Sequence, residues 1–248
     1  MRTLKLVISY DGTKYYGSQK QPDHHTVQGY LENRLSWFYK RIIKISLSGR
    51  TDAGVHAMNQ VVCYDDDNSI PFGKLLIIYN NLFDNTIKVN SVEQVDNDFD
   101  PRRHPKYREY QYWFYFGEKN PFLDKYMLYV AKLDISKLGE IVPLFLGKQD
   151  FRYISSVDNK KNTVREIYSA GFVEENFSFL GFEGKTVKFS IRANSFLYHM
   201  VRKIVGLLLD VNEDLLTYEE VVSIKNRGIY RGKMAPAKAL FLKKVHYS

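Results

Sequence analysis

The segment Gly49-Arg50-Thr51-Asp52-Ala53-Gly54-Val55-His56-Ala57 packs an arginine, an acid and a histidine around two glycines. Glycine carries no Cβ, so Gly49 and Gly54 permit backbone shapes that other residues resist. Arg50 presents a planar fork of donors that suits a phosphate or a carboxylate. Asp52 is the only acid in the stretch. A carboxylate in that setting could act as a nucleophile, a general base or a metal ligand. Chemistry alone also allows a plainer arrangement, a structural turn in which the Asp accepts local backbone N–H bonds. Elsewhere, His56 and His199 read as structural histidines rather than ligands. Asp65, Asp66 and Asp67 read as a solvated turn rather than a cation site.

These residues need a scaffold, and the hydrophobic pattern supplies one. Residues 4–10 read as a strand ended by the turn signal Asp11-Gly12. Thr26 is placed to cap a helix whose apolar stripe is Val27, Leu31, Leu35, Phe38 and Ile42. Gln60–Tyr64 reads as a strand, residues 72–80 as a helix, and residues 87–95 as a strand. Residues 97–106 form a polar loop bounded by Pro101 and Pro105. The strand after it places Tyr110, Tyr112, Phe114 and Phe116 on one face by the period of two. Residues 135–146 predict a helix weakened by Pro143, with Gly147 at its end. Strands follow at 165–174 and 186–192. Asn194 or Ser195 then caps a helix through about Leu209, and Thr217-Tyr218-Glu219-Glu220 has the spacing of a capping box. Residues 239–246 alternate as a last strand. Two halves of similar strand-and-helix content predict an α+β protein of two subdomains, 1–110 and 111–248. Their mixed or antiparallel sheets would be flanked by helices around a central cleft.

Composition narrows the partner. The 248 residues are 44% hydrophobic and 26% charged, which can bury a core. The formal charge of +8 favours a polyanionic partner through steering and counterion release. A single cysteine, Cys63, excludes an intramolecular disulfide and a Cys-rich zinc site, and fits a reducing, cytoplasmic compartment. No run approaches the ~18 apolar residues that a membrane helix requires, so no membrane is expected.

Residues 49–56 resemble the signature of the TruA family of tRNA pseudouridine synthases, Gly-Arg-Thr-Asp-Ala-Gly-Val-His, without a gap. Tyr10-Asp11-Gly12-Thr13, with Gly17, Gln19 and Gln21, resembles the family's N-terminal segment. Thr26-Val27-Gln28-Gly29 with Leu31-Glu32 is similar to the helix after it. Tyr107-Arg108-Glu109-Tyr110-Gln111-Tyr112 resembles the second motif and Asn194-Ser195-Phe196-Leu197-Tyr198-His199-Met200-Val201-Arg202 the third. Ala235-Pro236-Ala237-Lys238 resembles the closing segment. Two departures stand out: Ser18 where the family usually has Trp, and Ala239 where it often has Gly.

The resemblance implies a pseudouridine-synthase-like fold with Asp52 as the catalytic aspartate. It implies Tyr110 as the tyrosine against the target base and Arg202 as the partner of the aspartate. It also implies a homodimer that needs no cofactor or metal and acts on tRNA uridines 38 to 40. An arginine in an otherwise apolar helix must be paired if buried, which points the same way. Arg50, Arg102, Arg103, Lys106 and Arg108 are expected to meet RNA phosphates, with Lys20 and Arg152 as secondary candidates. The cations at 102–108 lie next to Tyr110 in sequence, a combination that suits flipped or single-stranded nucleotides. The rival readings are a related synthase acting at other RNA positions and a non-catalytic RNA-binding protein on the same scaffold. The second predicts decay of Asp52, Tyr110 or Arg202, yet all three are present.

Overall fold

The computed structural model describes residues 1–156, 162–179 and 182–247. In chain order its elements are β1 (Arg2–Tyr10), α1 (Val27–Tyr39), β2 (Ser46–Leu47), β3 (His56–Asp66), α2 (Phe72–Leu82), β4 (Ile87–Val95), β5 (Tyr107–Tyr115), β6 (Leu128–Tyr129), α3 (Ile135–Ile141), β7 (Gly147–Asp150), β8 (Val164–Phe179), β9 (Phe182–Ala193), α4 (Met200–Asn212), α5 (Tyr218–Arg227) and β10 (Leu240–His246). This is an α+β chain. It divides into two compact units: Met1–Lys106 with Phe241–Ser248, and Tyr107–Leu240.

The first unit is built on strands in the order β4-β1-β3-β10, with β2 alongside β3. Strand β1 runs antiparallel to both neighbours, setting Leu6 against Val62 and Val92. Its alternate residues Leu4, Leu6 and Ile8 are fully buried, at roughly 1.5–3 kcal/mol of transfer free energy per side chain. Thr26 Oγ1 accepts the Gly29 N–H at 3.2 Å and starts α1, which buries Val27, Leu31 and Leu35. Phe38 is half-buried. Ile42 lies beyond the helix, past Lys40 at φ 54°, and is 81% exposed, so the expected stripe ends early. Helices α1 and α2 are joined to β3 by tyrosine hydroxyls: Tyr39 meets Tyr79 at 2.6 Å and Tyr64 at 3.2 Å, and Tyr64 also bonds Tyr79.

Two expectations need correction in this unit. The acidic run at 65–67 is not a simple solvated turn, because Asp65 and Asp66 belong to β3. Asp66 is fully buried, and Arg2 Nε donates to it at 2.9 Å, so the burial of its charge is compensated. The last strand does not extend a second subdomain to residue 248. It pairs in parallel with β3, Phe241 opposite His56, and returns the C-terminus to the first unit.

In the second unit β5-β9-β8-β7 pair in that order, with β6 on β5. Antiparallel pairing sets Tyr110 opposite Ile191, Tyr112 opposite Phe189 and Phe114 opposite Val187, all buried. Phe116 falls past the end of β5 and is half-buried. Pro143 shortens α3, and the chain continues as a 3-10 turn over Val142–Phe145 before Gly147 at φ 81°. Helix α4 starts at Met200, later than expected. Asn194 Oδ1 is taken by the N–H groups of Ser195 and Glu166, and His199 sits at φ 62°. Thr217 and Glu220 form the capping box of α5. Among the described residues no helix is long and apolar enough to cross a membrane.

Candidate active site

Asp52 stands in the loop between β2 and β3 of the first unit, half-buried, with Arg50 exposed beside it. The loop is held from several sides. Gln60 on β3 accepts from Ser48 Oγ at 2.5 Å and donates to the Gly49 carbonyl at 3.0 Å. The Tyr10 hydroxyl at the end of β1 meets Thr51 Oγ1 at 2.8 Å. Burial pushes that phenol up to about 12, with the Thr51 and Gln60 hydrogen bonds acting against the shift. The Asp52 carbonyl accepts the Val55 N–H at 3.2 Å, closing a turn over Gly54 at φ 77°, where any side chain would be strained. His56 is buried at the start of β3. Its Nδ1 accepts the Gly12 N–H at 3.0 Å, and its ring stacks on Phe241 at 4.7 Å. It therefore serves the frame, as its sequence context suggests.

Arg102, Arg103 and Lys106 are exposed on the loop before β5. Arg102 Nε donates to the Leu47 carbonyl at 3.2 Å, which lays this loop along β2. Asp100 organises the turn by accepting from the N–H groups of Arg102 and Arg103 at 2.7 and 3.3 Å. Those bonds, the Arg102 one first, hold its carboxyl below the usual carboxylate range. In the first unit Arg50 and Asp52 thus follow β2 in the chain, and Arg102 is bonded to the last residue of β2. Lys20 is spoken for, since its Nζ donates to the buried Glu32 at 2.8 Å.

Tyr110, Arg108 and Arg202 belong to the second unit. Tyr110 is 7% exposed and meets Phe196 edge-on, with ring centroids 5.2 Å apart. Arg108 donates to the Asn194 carbonyl at 3.1 Å, so both residues of β5 engage the turn that leads into α4. Arg202 lies in the first turn of α4 and is half-buried. Its Nε donates to the Ala235 carbonyl at 2.8 Å, while its own carbonyl accepts the Ala235 N–H at 3.1 Å. The closing segment therefore grips the arginine at both its side chain and its backbone. Tyr112 lies near this guanidinium; burial raises its phenol and the Arg202 charge pulls it back. Arg152 is exposed at an Asp150 turn in the same unit, its N–H donating to Asp150 Oδ1 at 2.8 Å.

Sequence reasoning did not anticipate Gln60 and Ser18, which hold the Asp52 loop at Gly49 and Thr51, or Ala235, which holds Arg202. Tyr10, Ser18 and Ala235 all fall in segments whose resemblance was legible, but nothing in their residue types announces the bonds they make. Among the described residues no three His, Cys, Asp or Glu converge as a cation site.

The model of a family described as tRNA pseudouridine synthase matches residues 6–102 and 141–248. The tRNA pseudouridine synthase A of Borrelia turicatae is 37% identical over the full length of both chains. That of Borreliella afzelii is also 37% identical, again over all of each chain. An unknown protein from Galdieria sulphuraria aligns with 87% of this chain and 93% of its own at 10% identity, with a TM-score of 0.20 that supports no argument. The family model matches segments of both units, and the relatives match over the whole chain. The chain belongs to the tRNA pseudouridine synthase family.

Proposed function

We propose that the chain converts uridine to pseudouridine at positions 38 to 40 of the tRNA anticodon stem-loop, with Asp52 attacking the target nucleotide. Family membership carries this reading: the chain is an isomerase that acts on tRNA. The reaction breaks the N1–C1′ bond, turns the uracil and joins C5 to C1′, while the proton on C5 leaves and N1 gains one. No atom or electron is lost, so the chemical balance calls for no cofactor.

Asp52 supplies the nucleophilic carboxylate, and Arg202 balances its charge and fixes its direction. On this reading Tyr110 stacks on or hydrogen-bonds the flipped uracil and takes up the C5 proton. Arg50 fills the space the base leaves or holds its phosphate. Flipping costs a few kcal/mol, which phosphate contacts from Arg102, Arg103, Lys106 and Arg108 offset. The exposure of Arg50, Arg102, Arg103 and Lys106 supports that role. The enzyme works as a homodimer in the cytoplasm, a compartment compatible with its single buried thiol.

Tritium at C5 of uridine reports the bond exchange directly. Purified protein with tritiated, unmodified tRNA should release the label in proportion to sites modified, and no release would refute the activity. Sedimentation at micromolar concentration should give a dimer; monomer alone would remove that part.

A further inference from the structure

We infer that Ser18 is a positioning residue that fixes the backbone carrying Asp52; the inference rests on Asp52 being the catalytic carboxylate. Ser18 is fully buried, and its three polar groups are all committed. Its Oγ accepts the Thr51 N–H at 2.8 Å. Its own N–H donates to the Thr51 carbonyl at 3.1 Å, and its carbonyl accepts the Gln28 N–H at 2.9 Å. Gln28 lies in the first turn of α1, so Ser18 ties the rigid start of a capped helix to the residue before Asp52.

The peptide group is planar, so fixing one of its atoms goes far towards fixing the plane. The Ser18 hydroxyl sets the plane between Arg50 and Thr51. The Ser18 N–H sets the plane between Thr51 and Asp52, and the Val55 N–H sets the plane after Asp52. With both planes around its Cα held, Asp52 has little left to choose beyond its side-chain rotamer. The approach is close as well as bonded. Gly17 sits at φ 82°, and a Cβ there would come within 2.8 Å of the Thr51 carbonyl oxygen. Any residue at position 18 could offer the N–H. The Thr51 N–H needs a side-chain acceptor held close to the backbone, which the Ser18 Oγ supplies. Ser18 is thus bonded through side chain and backbone to the loop that carries Asp52.

The test compares Ser18→Ala and Ser18→Cys with the unaltered protein, using single-turnover rates at saturating tRNA, tRNA Kd and thermal melting. Cysteine keeps the shape of the side chain, is slightly larger, and is a weak acceptor. Both variants should lose roughly 10- to 100-fold in rate, the scale of a small misplacement of a reacting group, with Kd changed less than about twofold. Asp52→Asn is run beside them and should be inactive. If Ser18→Cys keeps the full rate, the residue acts by packing and the inference fails. If Ser18→Ala lowers only the melting temperature, it likewise fails. An active Asp52→Asn would instead sink the underlying assignment of Asp52.

Discussion

Replacing Gly206 by alanine sets two effects of known size against each other. Gly206 lies inside α4, where alanine normally gains about 1 kcal/mol over glycine. Here an added Cβ would stand 1.8 Å from the carbonyl oxygen of Lys233 and 2.8 Å from its carbon. Both are backbone atoms, so no rotamer change can relieve the clash, and the segment must retreat by more than an ångström. Two residues on, Ala235 makes its paired bonds with Arg202. Overpacking costs about 1–3 kcal/mol, and two strained hydrogen bonds add about 1 kcal/mol each. Set against the helical gain, the clash wins by about 3 kcal/mol. At roughly 2–4 °C per kcal/mol for a chain of this size, the melting temperature should fall by about 6–12 °C. Arg202 moves with the segment, so the single-turnover rate on tRNA should drop by about 100-fold in the protein that remains folded. Circular dichroism melting and rapid-quench assays measure the two effects. A variant as stable as the parent, with full activity, would refute the idea that the closing segment holds Arg202.

Other perturbations test separate parts of the account. Arg102→Ala or Arg103→Ala should weaken tRNA binding and lower the slope of log K against log salt by about one for each phosphate no longer neutralised; an unchanged slope would remove these residues from the RNA face. Burial pushes the Cys63 thiol up to about 12, so at pH 8 it should resist alkylation in the native protein and react once unfolded. Reaction at the rate of a free thiol would contradict the packing of β3. Tyr230→Phe removes the hydroxyl that donates to buried Asp210 at 2.6 Å and should cost roughly 1–3 kcal/mol in denaturant unfolding. A neutral result would mean that Asp210 finds another donor.

Local signals carried much of the fold. The alternation of Leu4, Leu6 and Ile8 marks a half-buried strand, and Thr26 and Thr217 mark helix starts through a hydroxyl that accepts an unpaired N–H. What stayed hidden depends on distant partners. Asp66 looks like a solvated acid until Arg2, far away in sequence, is seen to neutralise it. Helix α4 starts later than its pattern suggests because Asn194 spends its side chain on a turn and His199 enters the left-handed region, neither of which periodicity reveals. The return of β10 to β3 is a pairing across most of the chain. Arg50, Asp52, Tyr110 and Arg202 stand out in the sequence because the segments that hold them resemble a family's motifs. Ser18, Gln60 and Ala235 act through hydrogen bonds to backbone and small polar groups, which leave no mark on residue type.

The most direct measurement maps pseudouridine by position in a set of unmodified tRNA transcripts, after incubation with the parent protein or with Asp52→Asn at matched tRNA occupancy. The account predicts pseudouridine at positions 38 to 40 with the parent and none with the variant, while tRNA affinity stays within a few fold. Pseudouridine formed by Asp52→Asn at the parent's rate, or none formed by either protein, would contradict it.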